Sequence, residues 1–153
     1  MQKLSPTFFQ IISTDYLAQN YFVMIFAGWV IFIIDKLFEG EFTLFLLVFA
    51  AICTPLGLLA FFWRYRLIVS TFENGTEARG QVTEIRTIST GKTSGDYIIH
   101  YEYQLNGQAY QYRNRVKKNA FAKSLRQGQQ VTLLAHSKTP HIAFIKDIYL
   151  EDL

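Results

Sequence analysis

YIIHYEYQLNGQAYQYRNRV, residues 97–116, decides what kind of fold this chain carries. Tyr97, Ile99, Tyr101, Tyr103 and Leu105 alternate with Ile98, His100, Glu102 and Gln104, the period of two of a strand with one aromatic face. Asn106-Gly107 follows. A type I′ turn needs positive φ at both central positions, and Asn-Gly tolerates this best. Past the turn, Tyr110, Tyr112, Asn114 and Val116 fall on one side, with Gln111, Arg113 and Arg115 on the other. The stretch is a β-hairpin whose tyrosines face a core.

Neighbouring segments extend this hairpin into a sheet. In QVTEIRTI (81–88), Val82, Ile85 and Ile88 slip out of strict alternation, which one bulged residue explains. TGKTSG (90–95) is a polar connecting loop. It lacks the preceding glycine that a phosphate-binding loop requires. NAFAKSLRQG (119–128) predicts one or two helical turns, with Phe121 and Leu125 on one face and Gly128 as a left-handed cap. QQVTLLAH (129–136) turns Val131, Leu133 and Ala135 inward; SKTP makes a turn, and HIAFI (141–145) closes the sheet. The expectation for residues 80–153 is a small antiparallel β-domain of about five strands, barrel-like, with one short helix.

Ahead of the sheet the period disappears. FTLFLLVFAAICTPLGLLAFFW (42–63) holds 22 residues without a charge, and a bilayer core needs roughly 20 apolar helical residues. Pro55 and Gly57 are tolerated in such a helix, with a kink near Pro55. YFVMIFAGWVIFII (21–34), extended to 17–38, gives another span between Asn20 and Asp35/Lys36. The short connection DKLFEGE makes the two an antiparallel hairpin, with Ala27 and Gly28 offering a small-residue contact face. Lys3 stands too far ahead of the apolar run, and no small-x-small site follows it, so the run reads as a span rather than a cleaved signal. Before it, SPTFFQII suggests Ser5 as N-cap and Pro6 as the first helical residue. Phe8, Phe9, Ile12 and Tyr16 would share one side of an interfacial helix or of the start of the first span, and both readings stay open.

The organisation is thus an α+β membrane protein. It has an N-terminal segment (1–16), a transmembrane hairpin (17–38 and 42–63) with a short non-cytoplasmic loop (39–41), a linker (64–79), and the cytoplasmic β-domain (80–153). Gly80 is read as the place where the chain bends away from the bilayer.

Half of the residues are hydrophobic and 16% aromatic, and the net charge of +3 is unevenly spread. Residues 1–63 are net −2 and residues 64–153 net +5. Arg64 and Arg66 flank the exit of the second span while the hairpin loop is acidic, so the positive-inside rule places both termini in the cytoplasm. Trp63 and Tyr65 suit an aromatic belt. The basic stretch Arg113, Arg115, Lys117 and Lys118, with Lys123 and Arg126, joins Arg64 and Arg66 as the candidate surface for membrane headgroups or a protein partner. Nucleic acid is disfavoured, because the tyrosines alternate onto the face opposite Arg113 and Arg115, which suits a core better than a stacking platform.

Chemistry finds little footing. The lone cysteine, Cys53, excludes an internal disulfide and a cysteine metal cage. His100, His136 and His141 come without a carboxylate cluster, so no metal or cofactor is expected. No serine sits in a Gly-x-Ser-x-Gly elbow, and no acid–base pair is recognisable, so no catalytic residue is assigned and the chain is expected not to be an enzyme.

Five pieces stand in a familiar order: Gly80-Gln81-Val82, His100-Tyr101-Glu102-Tyr103, Asn106-Gly107, Gly128-Gln129-Gln130-Val131 and His136-Ser137-Lys138-Thr139-Pro140. Over residues 78–146 this order resembles the DUF3592 group of small bacterial membrane proteins, in which membrane spans commonly adjoin the module. The group typically closes on a Tyr-Asp-Pro turn. Here Ala135-His136-Ser137 stands instead, so the aspartate and first proline are absent. These are turn and packing residues, and the resemblance implies a fold and no chemistry.

The function expected is a non-enzymatic binding or scaffolding module, anchored in the bacterial inner (cytoplasmic) membrane. It would present its β-domain to a protein partner, including a larger membrane complex. The alternative is a small membrane-embedded inhibitor or immunity-type protein that acts through its helices.

Overall fold

The structure, a computed structural model, describes residues 5–38, 43–89 and 95–150. Lys3, the loop at 39–41 and most of the polar loop at 90–94 lie outside them. The chain forms two compact units. One is residues 17–65. The other joins residues up to Tyr16 with Arg66 onward.

The first unit is a helical hairpin made by α2 (Tyr16–Leu37) and most of α3 (Thr43–Asn74). Both helices are long and apolar enough to cross a membrane. They run antiparallel, since Gly28 meets Ala50 while Gly57 meets Ile25 and the backbone of Tyr21. A Cβ on Gly28 would stand 2.7 Å from the Ala50 Cα, so glycine sets how closely the backbones approach. Trp29 Nε1 donates to Thr54 Oγ1 at 2.8 Å, and that hydroxyl reaches the carbonyls of Ala50 and Ile25. Most large apolar side chains of both helices point outward, among them Phe26, Val30, Ile34, Phe45, Ile52 and Leu59.

The other unit is a five-stranded, nearly closed, barrel-like antiparallel sheet. Its strands are β1 (Thr76–Ser89), β2 (Gly95–Leu105), β3 (Gln108–Lys117), β4 (Gln130–Ala135) and β5 (Ala143–Ile145), in the order β3-β2-β1-β4-β5. Asn106 and Gly107 take φ of 52° and 78°, the pair of positive values the turn demands. In β1 the register shifts between Val82 and Glu84, leaving Thr83 as the bulged residue. Of the inward set the alternation predicts, Ile99, Tyr101, Tyr103, Asn114, Val116, Val131, Leu133 and Ala135 are buried, while Tyr97, Leu105, Tyr110 and Tyr112 are half-buried.

Three short helices complete this unit: α1 (Phe8–Thr14), α4 (Ala120–Ser124) and α5 (Lys146–Leu150). α4 ends earlier than expected. Its C-cap is Leu125, and Gly128 spends its positive φ of 84° in the following turn, where its N–H donates to the Val82 carbonyl. α5 has no counterpart in the sequence reading, yet Ile148 and Tyr149 from it are core residues.

Both flanks of the hairpin feed the β unit. Thr7, rather than Ser5, caps α1, because Gln10 at the fourth position returns a bond to the Thr7 N–H and completes a capping box. α1 is a helix of its own and not the first turns of α2. It packs on β3 and α5 through buried Ile11, leaves Phe8 and Phe9 exposed, and ends at Asp15, whose extended backbone bridges Val116. On the other flank, α3 continues as helix through the residues expected to be linker, as far as Asn74. Ile68, Thr71 and Phe72 lie one helical turn apart and are fully buried. The bend falls at Gly75 rather than Gly80: a Cβ there would sit 2.2 Å from the Thr71 carbonyl oxygen and 2.8 Å from that of Ala135. Gly80 lies inside β1, paired with both Tyr103 and Val131.

An aromatic column fills the unit. Phe72 meets Tyr149, Tyr149 meets Phe144, Phe144 meets Tyr112 and Tyr112 meets Tyr101, with ring centroids 5.6–6.3 Å apart, within the range of favourable edge-on and tilted contacts.

Candidate functional site

Antiparallel pairing places residues of neighbouring strands opposite one another, so a row across the sheet can be read from the register. Gln130 of β4 faces Gln81 of β1, Gln81 faces Glu102 of β2, and Glu102 faces Gln111 of β3. All four side chains are exposed. With Arg79, Gln104 and Ala109 they line an open cleft of about 690 Å3, within the size range of ligand pockets. Gln81 Nε2 donates to the Gly128 carbonyl at 2.9 Å, which orients its carboxamide. The cleft carries one cation and one anion, Arg79 and Glu102. Under it, Gly80 is a close-contact point: a Cβ would meet Leu133 Cδ1 at 2.4 Å and the Glu102 carbonyl oxygen at 2.6 Å.

The two tyrosines of the His-Tyr-Glu-Tyr segment are struts. Tyr101 Oη donates to the Ala143 carbonyl at 2.5 Å, and Tyr103 Oη donates to the carbonyl of Pro140. Both tie β2 to the segment around β5, which lies at the far edge of the sheet. Burial, with the nearby Tyr110 and Tyr112 adding to it, pushes the Tyr103 hydroxyl up to about 12.

Among the candidate basic residues the structure separates engaged from open side chains. Arg115 and Lys117 converge on Asp96, at 2.7 Å and 3.1 Å, and the Arg115 guanidinium stacks 3.4 Å from the ring centre of Tyr16. Buried Asp96 thereby gains two charge-assisted contacts, and both cations are committed inside the unit. Arg126 leans on the carbonyls of Lys123 and Leu125 at the end of α4. Arg113, Lys118, Lys123 and Arg126 are exposed, as is Arg66; Arg64 is buried.

His136 is held at the end of β4. Its Nδ1 accepts from the backbone N–H groups of Lys138 and Thr139, and Ser70 Oγ lies 3.2 Å from Nε2. Because Nδ1 is an acceptor, the neutral ring carries its proton on Nε2 and donates it to Ser70. That polarity is the reverse of what a histidine base acting on a serine needs. The pair therefore holds the β4–β5 turn to α3. His141 sits in that turn and not on a strand. Among the described residues no three His, Cys, Asp or Glu side chains come together as a metal site would require.

The glutamine row was not singled out by the sequence. Its members are scattered over 50 residues on the polar side of four strands, and glutamine carries no charge or reactivity to draw notice. The register is what joins them.

Neither the curated proteins nor the solved structures contain a match to this chain. Residues 78–147 match the family model described as Domain of unknown function (DUF3592). That span runs from β1 through the first residues of α5, so the strut tyrosines, Gly80 and the glutamine row all lie inside it. The DUF3592 match thus belongs to residues 78–147, and the barrel-like sheet is the fold of that span.

Proposed function

We propose that the chain is a non-enzymatic, membrane-anchored binding or scaffolding module. The α2–α3 hairpin would hold it in a bacterial inner (cytoplasmic) membrane, and the β unit would meet a protein partner in the cytoplasm. The observation that carries this reading is the contrast between the units. Large apolar side chains stand exposed along both hairpin helices, while the outward face of the sheet is polar and hosts the cleft. Such extended apolar exposure is at home in lipid. Because α1 and the residues from Arg66 onward form one compact unit, both flanks of the hairpin share one side of the membrane. The exposed cations Arg66, Arg113, Lys118, Lys123 and Arg126 favour the side with the anionic leaflet, at about 1 kcal/mol for each one held near the surface.

Photocrosslinking of the full chain in its native membrane tests this. Reactive residues placed at Gln111, Lys123, Phe45 and Leu59 sample the sheet, α4 and the outward faces of the helices. Capture of one protein from the sheet or α4 supports the module. Capture confined to Phe45 and Leu59 would instead favour the inhibitor or immunity-type protein acting through its helices.

A further inference from the structure

The cleft has a composition that narrows what it can hold. Its row of Gln130, Gln81, Glu102 and Gln111 spans four adjacent strands, roughly 14 Å at about 4.8 Å per strand. Each carboxamide offers a donor and an acceptor, the pairing a peptide group also offers. Tyr103 and Tyr110 also line the cleft and stack on one another, 5.7 Å apart, so that one face of each ring is taken by the other. Arg79 and Glu102 cancel in charge, so nothing there attracts a polyanion. Arg79, Glu102, Gln104, Gln111 and Gln130 make no side-chain hydrogen bond or ion pair to another described residue, and their bonding capacity faces outward.

We infer that this cleft is the docking site for an extended polypeptide segment of the partner, lying across β4, β1, β2 and β3 with a basic residue over Glu102. The inference rests on the protein-partner reading above and gives it a location and a chemistry. Backbone amides of the segment bond to the carboxamides, so the site is tolerant of most side chains. Glu102 and, on the neighbouring strand, Arg79 supply the two charge preferences, a basic residue over the first and an acidic one over the second, since an unmatched charge at either costs affinity and a like charge costs more.

The test uses the full chain in its native membrane, with a photoreactive residue at Gln111 or Gln104 and, as controls on the same unit, at Glu73 or Lys138. The crosslinked segment is identified by mass spectrometry, synthesised, and titrated against the purified full chain in lipid nanodiscs. Expected are capture at Gln111 and Gln104 and not at the controls, and a Lys or Arg in the captured segment. Glu102→Arg should weaken binding about tenfold or more, and a peptide with that basic residue changed to Glu should restore it. Glu102→Gln keeps the shape of the side chain and should weaken binding without reversing the preference. Capture only at the control positions, a lipid or glycan adduct at Gln111, or binding indifferent to both Glu102 variants would overturn the inference while leaving the module reading standing. Capture of no protein at any of these four positions or at Lys123 would sink both.

Discussion

Tyr149 donates its phenolic hydrogen to the Asp15 carboxylate at 2.8 Å, joining residues 134 positions apart. Asp15 immediately precedes the first apolar helix, and Tyr149 lies in the last helix of the chain. The same hydroxyl accepts from Asn114 Nδ2 at 2.7 Å, so α1, β3 and α5 meet at one buried oxygen. Asp15 and Tyr149 are 0% and 1% exposed. The clasp makes the N-terminal segment a structural part of the β unit, although some fifty residues of helical hairpin separate them in sequence.

Tyr149→Phe keeps the ring contacts with Phe72 and Phe144 and removes only the shared oxygen. Loss of hydrogen bonds at a buried site, one of them to a carboxylate, should cost about 1–3 kcal/mol. A lowered thermal midpoint of the purified chain checks this. An unchanged midpoint would mean that the clasp contributes nothing to stability.

Gly80→Ala places a methyl group against Leu133 and the Glu102 carbonyl. The leucine can turn aside, but the carbonyl belongs to the β1–β2 ladder and cannot. A destabilisation of about 1–3 kcal/mol is expected, of the kind that overpacking produces. Denaturant unfolding of the variant beside the parent chain reads it directly.

How much of this was legible beforehand differs from element to element. The β2–β3 hairpin, its Asn-Gly turn and the bulge in β1 were all visible, because local alternation and turn chemistry determine them. Gly80 was noticed but given the wrong task. Sequence shows that a small residue is required and not which neighbour requires it; the actual bend at Gly75 depends on Ala135, sixty residues on. α5 and the docking of α1 were invisible for a related reason. Helices of five and seven residues have too few turns for a periodic pattern, and their stability comes from tertiary contacts with Ile11, Ile148 and Tyr149. The basic stretch looked uniform in sequence. Asp96, contributed by another strand, is what takes Arg115 and Lys117 out of it.

Tyr103 gives a prediction in pH. Its hydroxyl titrates near 12 in the folded chain, against about 10 when unfolded. Above pH 10 the unfolded state sheds a proton that the folded state retains, so this residue favours unfolding progressively from pH 10 to 12. Below pH 10 it has no such effect. The Tyr103→Phe variant should therefore show a flatter decline of stability over that window. Spectrophotometric titration of the parent chain should find a late-ionising tyrosine that the variant lacks.

In the hairpin, Thr54→Val removes the hydroxyl that accepts from Trp29 while nearly preserving shape. Interhelical hydrogen bonds in membranes average about 0.6 kcal/mol, so the loss should be modest. Gly28→Leu should do far more, since it forces the two backbones apart at Ala50. Trp29 fluorescence and helix–helix distances by paired spin labels, measured on both variants in lipid, distinguish the two effects.

The central claim is a hairpin anchor with both of its flanks, and the β unit they form, on the cytoplasmic side. Single cysteines at Phe38 and at Lys138, each in a Cys53→Ser background, can be challenged with a membrane-impermeant maleimide on intact cells. The account predicts that Phe38→Cys is labelled at once and Lys138→Cys only after the membrane is permeabilised. Labelling of Lys138→Cys in intact cells, with Phe38→Cys protected, would contradict it.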